Sequence, residues 1–296
     1  MIPYVREMTF EYGRPDQVSP LIRRVVANNP GPFTFRGTGT YIVGHGEVAV
    51  IDPGPADRAH LEALTAALDG ERVSAILITH DHADHAPLAA DLARRTGAPV
   101  LGARPTPSRL AAGPGMEEGS DAAYRPDRVL EDGETVRGHG WTLTTLATPG
   151  HTGNHLCFAL PEENALFTGD HVMGWSTTVV APPDGSMTDY YVSLRRVMRG
   201  DYATLWPTHG PPVTEPGPFL EAYLDHRLKR EAQILDLLSR GPARIPEMVG
   251  RLYIGLDPRL HRAASASLLA HLAHLTGQGA VDHDAAEGAD RVYRLA

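Results

Sequence analysis

The stretch THDHADH, residues 79–85, places three histidines and two aspartates in the six positions from His80 to His85. Imidazole nitrogens and carboxylate oxygens are ligands that zinc and related divalent ions take readily. The bland alternative, a solvated loop that happens to be rich in histidine, fits poorly with so many donors placed directly after an aliphatic run. The chain has a single cysteine, Cys157, which excludes an internal disulfide and any cysteine-based zinc cluster. A metal bound here is therefore held by His and carboxylate. It also needs donors from elsewhere in the chain, and three later motifs offer them: TPGHT with His151, LFTGDH with Asp170, and WPTHGP with His209.

Each of these motifs follows an apolar segment that reads as a strand. VSAILI, 73–78, is a buried strand ending at about Thr79, so His80, His82, Asp84 and His85 sit on the loop at its C-terminal end, where ligands collect in α/β folds. Upstream, TYIVG at 40–44 and VAVID at 48–52 are parted by HGE and form a hairpin. ADRAHLEALTAALDG is a helix with Leu61, Leu64 and Leu68 on one face, ended by Gly70. Beyond the cluster come a helix over 86–95, the strand APVLGA, a Pro/Gly-rich loop near 104–120, and strands around 129–136, 141–147 and 155–160. This alternation, which runs to about residue 210, predicts the α/β class with sheets at the centre and helices outside.

The breaker cluster PPVTEPGP, 211–218, interrupts the pattern and suggests a division into residues 1–218 and 219–296. After it, FLEAYLDHRLKREAQILDLLSR predicts a long amphipathic helix with Leu220, Leu224, Leu228, Leu235 and Leu238 along its apolar stripe. Two further helices, IPEMVGRLY and RLHRAASASLLAHLAHLTGQG, precede two short strands, AVDHD and RVYRLA. Helix, helix, helix, small hairpin is the order of a winged helix.

Charge and composition narrow the function classes. The chain has 296 residues and a formal charge of −9, so its overall field repels polyanions and anionic membranes. The winged-helix stretch 241–296 carries six arginines against six acidic residues, which argues against a nucleic-acid reader, since phosphate binding depends on clustered cations. No apolar run approaches the roughly 18 residues of a spanning helix. The N-terminal MIPYVREMTF lacks the pattern of a secretion signal, so the expected compartment is the cytoplasm, with no membrane partner.

HxHxDH followed by the three later motifs in this order resembles the metallo-β-lactamase superfamily over about residues 30–215. The resemblance implies a four-layer αβ/βα sandwich with two metals at one edge. It implies that His80, His82 and His151 hold one ion, Asp84, His85 and His209 the other, and that Asp170 bridges them, with Asp84 and Asp170 the carboxylates that serve catalysis. Two zinc ions about 3.5–4 Å apart share a bridging water whose pKa falls to about 7, giving a hydroxide nucleophile at neutral pH. A structural zinc favours a closed shell of four ligands, commonly with Cys, whereas seven His/Asp donors suit two open ions, zinc by preference with iron or manganese also compatible. Asp52 in VIDPG is similar to the family carboxylate that orients a liganding histidine through its other ring nitrogen; the alternative is a plain turn residue before Pro-Gly. His155, His171 and His226 are not assigned as ligands.

The best-known antibiotic-cleaving members carry Cys where this chain has Asp170, which speaks against lactam hydrolysis. GDHVMGWSTT, HGPPV and HRLKREAQIL, within about 165–281, resemble the lactamase-beta-like protein 2 group with its C-terminal winged helix. With a bridging Asp, that likeness implies a hydrolase acting on an ester, thioester or phosphodiester, with single-stranded RNA as the alternative substrate; in a chain of charge −9 its phosphate contacts would have to come from local arginines such as Arg195, Arg196 and Arg199. The winged helix then covers the cleft or joins two subunits in a homodimer. A mononuclear iron persulfide dioxygenase ranks last, because a complete second donor set stands at His85 and His209.

Overall fold

Strands whose side chains alternate between two faces must be covered on both sides when both faces are apolar. β3 (Gly39–His45), β4 (Glu47–Ile51) and β5 (Arg72–Ile78) are of this kind. Tyr41, Val43, Ala49, Ile51, Ala75 and Leu77 face one apolar cluster, while Ile42, Val48, Val50, Val73, Ile76 and Ile78 face another. The structure, a computed structural model, describes residues 1–107 and 119–296. Most of the loop expected near 104–120 lies outside the described residues.

The first sheet has seven strands in the order β1 (Pro15–Ser19), β2 (Ile22–Val26), β3, β4, β5, β6 (Val100–Gly102) and β7 (Arg128–Val129). It is antiparallel as far as β4 and parallel beyond. The second sheet runs β12 (Thr204–Pro207), β11 (Ala165–Gly169), β10 (Leu156–Leu160), β9 (Trp141–Ala147), β8 (Thr135–Gly138). Trp141, Leu143, Phe158 and Phe167 of the second sheet meet Tyr41 and Leu77 of the first in one shared core. Helices α1 (Arg58–Ala67) and α2 (Ala89–Thr96) cover the outer face of the first sheet. The outer face of the second is covered by α3 (Met187–Met198) and the first half of α4 (Pro216–Ser239). The result is the four-layer sandwich that the resemblance implies.

Two expectations differ in detail. The strand expected over 129–136 is two strands in different sheets: β7 pairs with β6, and β8 pairs with β9. Between them Gly133 takes φ 78°, a left-handed turn that glycine adopts without strain, and the Asp132 carboxylate accepts from Ala147 N at 2.9 Å, anchoring the crossover. The stripe expected on α4 packs at Leu220, Leu224, Leu235 and Leu238 but fails at Leu228, which is exposed, and the buried line also takes in Phe219, Tyr223, Arg227, Glu231 and Ile234. Burying charge requires partners, and both have them. Arg227 donates to the Thr178 carbonyl, and Glu231 accepts from Tyr191 Oη at 2.9 Å and faces His271 Nδ1 at 3.2 Å.

α5 (Ile245–Leu252), α6 (His261–Gly277) and a small sheet of β13 (Ala243–Arg244), β15 (Val292–Leu295) and β14 (Val281–His283) complete the winged helix. Its core takes Ile234, Leu237 and Leu238 from the far end of α4. Among the described residues no helix is long and apolar enough to cross a membrane.

Candidate metal centre

Every motif singled out in the sequence leaves a strand at the same edge of the sandwich. β4 ends at Asp52, β5 at the 79–85 loop, β9 at the loop carrying His151, β11 at Asp170 and β12 at His209. Gly169, just before Asp170, has φ 51°, and a Cβ there would lie 2.6 Å from His155 Nε2. Only glycine lets the end of β11 come this close to the imidazole behind it.

The donor atoms converge in two sets. His80 Nε2 stands 2.9 Å from His82 Nδ1, and His151 Nε2 stands 3.2 Å from the same atom. On the other side, His209 Nε2 lies 3.0 Å from Asp84 Oδ2, which is 3.5 Å from His85 Nε2. Asp170 faces both sets: Oδ1 is 3.6 Å from His85 Nε2 and 3.5 Å from His209 Nε2, while Oδ2 is 3.8 Å from His151 Nε2. Three groups have donor atoms all within 4.8 Å of one another, namely His80, His82, His151; His80, His85, Asp170; and Asp84, His85, His209. Buried polar atoms in proteins are ordinarily hydrogen-bonded, yet His85 Nε2, Asp84 Oδ1 and Asp170 Oδ1 have no hydrogen-bond partner among the described residues. A cation between them would satisfy all three.

The remaining ring nitrogens are tied down, which fixes the nitrogens that face the site. His151 Nδ1 donates to the Val179 carbonyl at 2.6 Å, and His209 Nδ1 lies 3.3 Å from the Gly37 carbonyl. Asp52 is the hub. Its carboxylate accepts from His85 Nδ1 at 2.9 Å, Thr79 N at 2.9 Å, Thr79 Oγ1 at 2.8 Å and Thr208 Oγ1 at 3.1 Å. Thr79 Oγ1, having given its proton to Asp52, accepts from His80 Nδ1 at 3.0 Å. One fully buried carboxylate thus orients a histidine in each set. Asp52 itself sits at φ 49°, an uncommon conformation for a residue with a side chain.

The electrostatics divide along the same line. Burial, with His151 beside it, pushes His82 down to about 3, and burial among four other imidazoles holds His80 well below the usual imidazole range. Burial opposes charge on His209 too, but Asp170 and Asp84 outweigh it and raise its pKa to about 10; His85 is raised in the same way by Asp84, Asp170 and Asp52. The two carboxylates draw positive charge to this side, and metal cations are the natural source.

The three unassigned histidines are elsewhere. His155 is buried, and its Nε2 accepts from Asp170 N at 3.1 Å while Nδ1 meets Thr148 Oγ1 at 2.8 Å, so it positions the backbone of Asp170. His171 is fully buried with neither ring nitrogen hydrogen-bonded among the described residues, and burial lowers its pKa to about 3. His226 lines a separate cavity. Sequence reasoning passed over Asp81, which accepts from Thr106 N, Thr106 Oγ1 and Asn154 Nδ2 and so pins the loops beside His82 and His151. Its position between two donor histidines was the available signal.

A cleft of about 740 Å³ opens on His82 and His151. Val179, Ala181 and Pro182 form its near side, and Ile245, Leu269 and Tyr293 of the winged helix form the far side.

Residues 34–209, more than half of the chain, match the metallo-beta-lactamase superfamily. The chain belongs to the metallo-β-lactamase superfamily. Residues 245–290 of this superfamily member match the beta-lactamase associated winged helix domain. It is 31% identical over 275 residues to the lactamase-like protein adaB of Aspergillus niger, an alignment covering 86% of this chain and 79% of that one. With the beta-lactamase-like protein 2 homolog of Caenorhabditis elegans the identity is 32%, covering 76% and 73% of the two chains. An atrochrysone carboxyl ACP thioesterase of Paecilomyces divaricatus, AgnL7, is 34% identical, covering 76% and 67%. Among solved structures, a metallo-beta-lactamase family protein from Thermus thermophilus superposes with a TM-score of 0.76 at 25% identity over 94% of this chain and 100% of that one. TTHA1623, solved in a di-iron-bound form, superposes with a TM-score of 0.51 at 29% identity over 67% and 96%. This superfamily member, with relatives named as thioesterases, is a metal-dependent hydrolase.

Proposed function

We propose that this superfamily member hydrolyses a small ester or thioester at a dinuclear zinc centre. In this reading His80, His82 and His151 hold one ion, Asp84, His85 and His209 hold the second, and Asp170 lies between them. The observation that carries it is the pair of donor sets meeting at Asp170, whose two oxygens face opposite sides, with a cleft opening directly on His82 and His151. When bound, the ions supply a hydroxide nucleophile near neutral pH and polarise the carbonyl under attack.

The chain's own residues do the rest. Asp52, Val179 and Gly37 keep the liganding imidazoles in the tautomer whose lone pair faces the centre. Apolar side chains from both domains, Val179 and Pro182 facing Ile245 and Leu269, hold an acyl group and exclude water around the scissile bond. The relatives named as thioesterases support a carbonyl substrate. Arg195, Arg196 and Arg199, the phosphate contacts expected for an RNA substrate, do not line the cleft, whose arginines are Arg262 and Arg291 of the winged helix, and Arg196 is engaged by Asp132 at 2.8 Å.

Elemental analysis of the purified protein tests the metal reading, with two zinc per chain expected; one iron per chain would reject it. Turnover of a small acyl thioester measured against salt tests the substrate. Rates that hardly change with salt, absent in His82→Ala, are expected. Cleavage of single-stranded RNA whose log-log salt slope is about 0.7 per phosphate contacted, without thioester turnover, would overturn the carbonyl reading in favour of a nuclease.

A further inference from the structure

Val179 lines a second cavity as well as the catalytic cleft. This cavity, of about 510 Å³, lies where the catalytic sandwich meets α4 and the helices of the winged helix, and it holds none of the candidate metal ligands. Its size is that of a small-molecule site. Among the described residues its charged lining is cationic, Arg6, Arg227 and Arg230, with no carboxylate. In a chain of net charge −9 that is a local reversal of sign. The nearby Glu231 carboxylate is already engaged by Tyr191 and His271.

Two of the three guanidiniums are each held by one backbone carbonyl: Arg230 Nη1 donates to Leu252 at 3.0 Å and Arg227 donates to Thr178. Arg227 is 3% exposed, and its Nε has no partner among the described residues. Trp175 Nε1 is buried and equally unpartnered. Arg6, Arg227 and Arg230 form no salt bridge to a described carboxylate, in contrast to most arginines of the catalytic sandwich. His226 and His271 are pushed down by burial, His226 to about 4, so the positive charge near neutral pH rests on the guanidiniums, which do not titrate there.

The walls are flat. Phe35 and Trp175 stack with centroids 4.8 Å apart and planes 20° from parallel, and the Arg230 guanidinium lies 4.1 Å from the centroid of the Tyr253 ring. Phe33 adds a third aromatic side chain to the lining. Guanidiniums recognise phosphate oxygens through paired N–H donors, and aromatic faces receive a planar ring.

We propose that this cavity binds a phosphomonoester carried on a planar ring, of the class of nucleoside monophosphates, with the phosphate among Arg6, Arg227 and Arg230 and the ring against the aromatic wall. The site is separate from the hydrolytic centre and does not depend on which substrate that centre takes.

Calorimetric titration of the full-length, metal-loaded protein with AMP, adenosine and inorganic phosphate tests the proposal, with tryptophan fluorescence as a second readout. AMP is expected to bind, to perturb the emission of Trp175, and to bind at least about tenfold more tightly than either adenosine or phosphate alone. Losing one charge-assisted hydrogen bond should weaken AMP about tenfold, so Arg230→Gln and the exposed Arg6→Gln should each do so, with thioester turnover unchanged in Arg6→Gln. Asp84→Ala should bind AMP as the unaltered protein does. No binding at millimolar AMP, inorganic phosphate binding as tightly as AMP, or affinity that falls in Asp84→Ala while both arginine variants keep it would each overturn the assignment.

Discussion

Replacing Asp52 by Asn tests how the centre is built, because it changes one atom in a fully buried hub. Oδ2 of Asp52 accepts three hydrogen bonds, from His85 Nδ1, Thr79 Oγ1 and Thr208 Oγ1, and Oδ1 accepts one from Thr79 N. An amide can keep its oxygen toward Thr79 N only by turning its NH2 toward the other three. The two hydroxyls can rotate to accept. The imidazole can accept only by moving its proton from Nδ1 to Nε2, the atom that faces Asp84 and Asp170. Under the proposed assignment His85 would then be lost as a ligand, and His80, oriented through Thr79, would be loosened. Changes of this kind lower metal affinity about 10–100-fold, or about 1.4–2.7 kcal/mol. Asn tolerates the left-handed backbone at 52 as well as Asp does, so the fold should survive with a stability loss of about 1–3 kcal/mol from the mismatched buried group. Competition against a chelator reads the affinity, and circular dichroism with a thermal melt reads the fold. Two metal equivalents bound at the affinity of the unaltered protein would refute the hub.

Further expectations bear on the same architecture. His82→Ala and Asp84→Ala should abolish hydrolysis with little change in melting temperature, since both lie on a loop; full activity without bound metal in either would dismiss the site. Asp170→Ala should lose at least one metal equivalent by elemental analysis, and retention of two would reject a bridging carboxylate. Gly169→Ala places a Cβ 2.6 Å from His155 Nε2 at φ 51° and should destabilise the fold by about 2 kcal/mol or more, read by urea unfolding; an unchanged midpoint would contradict the packing. His60 is buried against Thr40 Oγ1 with its pKa lowered by burial to about 4. Between there and the unfolded value of about 6.5 the unfolded chain binds more protons, so stability is full above about 6.5, falls as the pH drops, and is lower by about 3 kcal/mol once below about 4. His60→Gln should flatten that part of the stability profile, and an identical slope in the variant would absolve His60.

That the His and Asp side chains of the cluster gather at one edge was readable because the pattern is dense and unusual: imidazoles and carboxylates at strand ends, next to aliphatic runs that can only be buried. The strand order near 128–138 was not, because whether two short β segments pair with each other or with different sheets is settled by a turn at Gly133 and an anchor at Ala147, fourteen residues on. The buried face of α4 misled for a different reason. Apolar spacing points to Leu228, but the helix turns Arg227 and Glu231 inward because Thr178, Tyr191 and His271 offer them partners from remote parts of the chain. Asp52 keeps a plain turn residue as its alternative until Thr79, His85 and Thr208 are seen around it. His155, which the sequence left unassigned, supports the backbone of Asp170 from behind.

α4 contributes Phe219, Leu220 and Tyr223 to the core beneath the second sheet and Ile234, Leu237 and Leu238 to the core of the winged helix. One uninterrupted helix of 24 residues therefore acts as a ruler that sets the distance between the metal loops and the wall opposite them. A residue inserted at its midpoint would advance that wall by about 1.5 Å and swing it by about 100°, while an insertion of seven would add about 10 Å and restore its phase to within about 20°. Helix length is thus a dial by which a lineage could resize the cleft in discrete steps without altering a single residue of the His/Asp cluster.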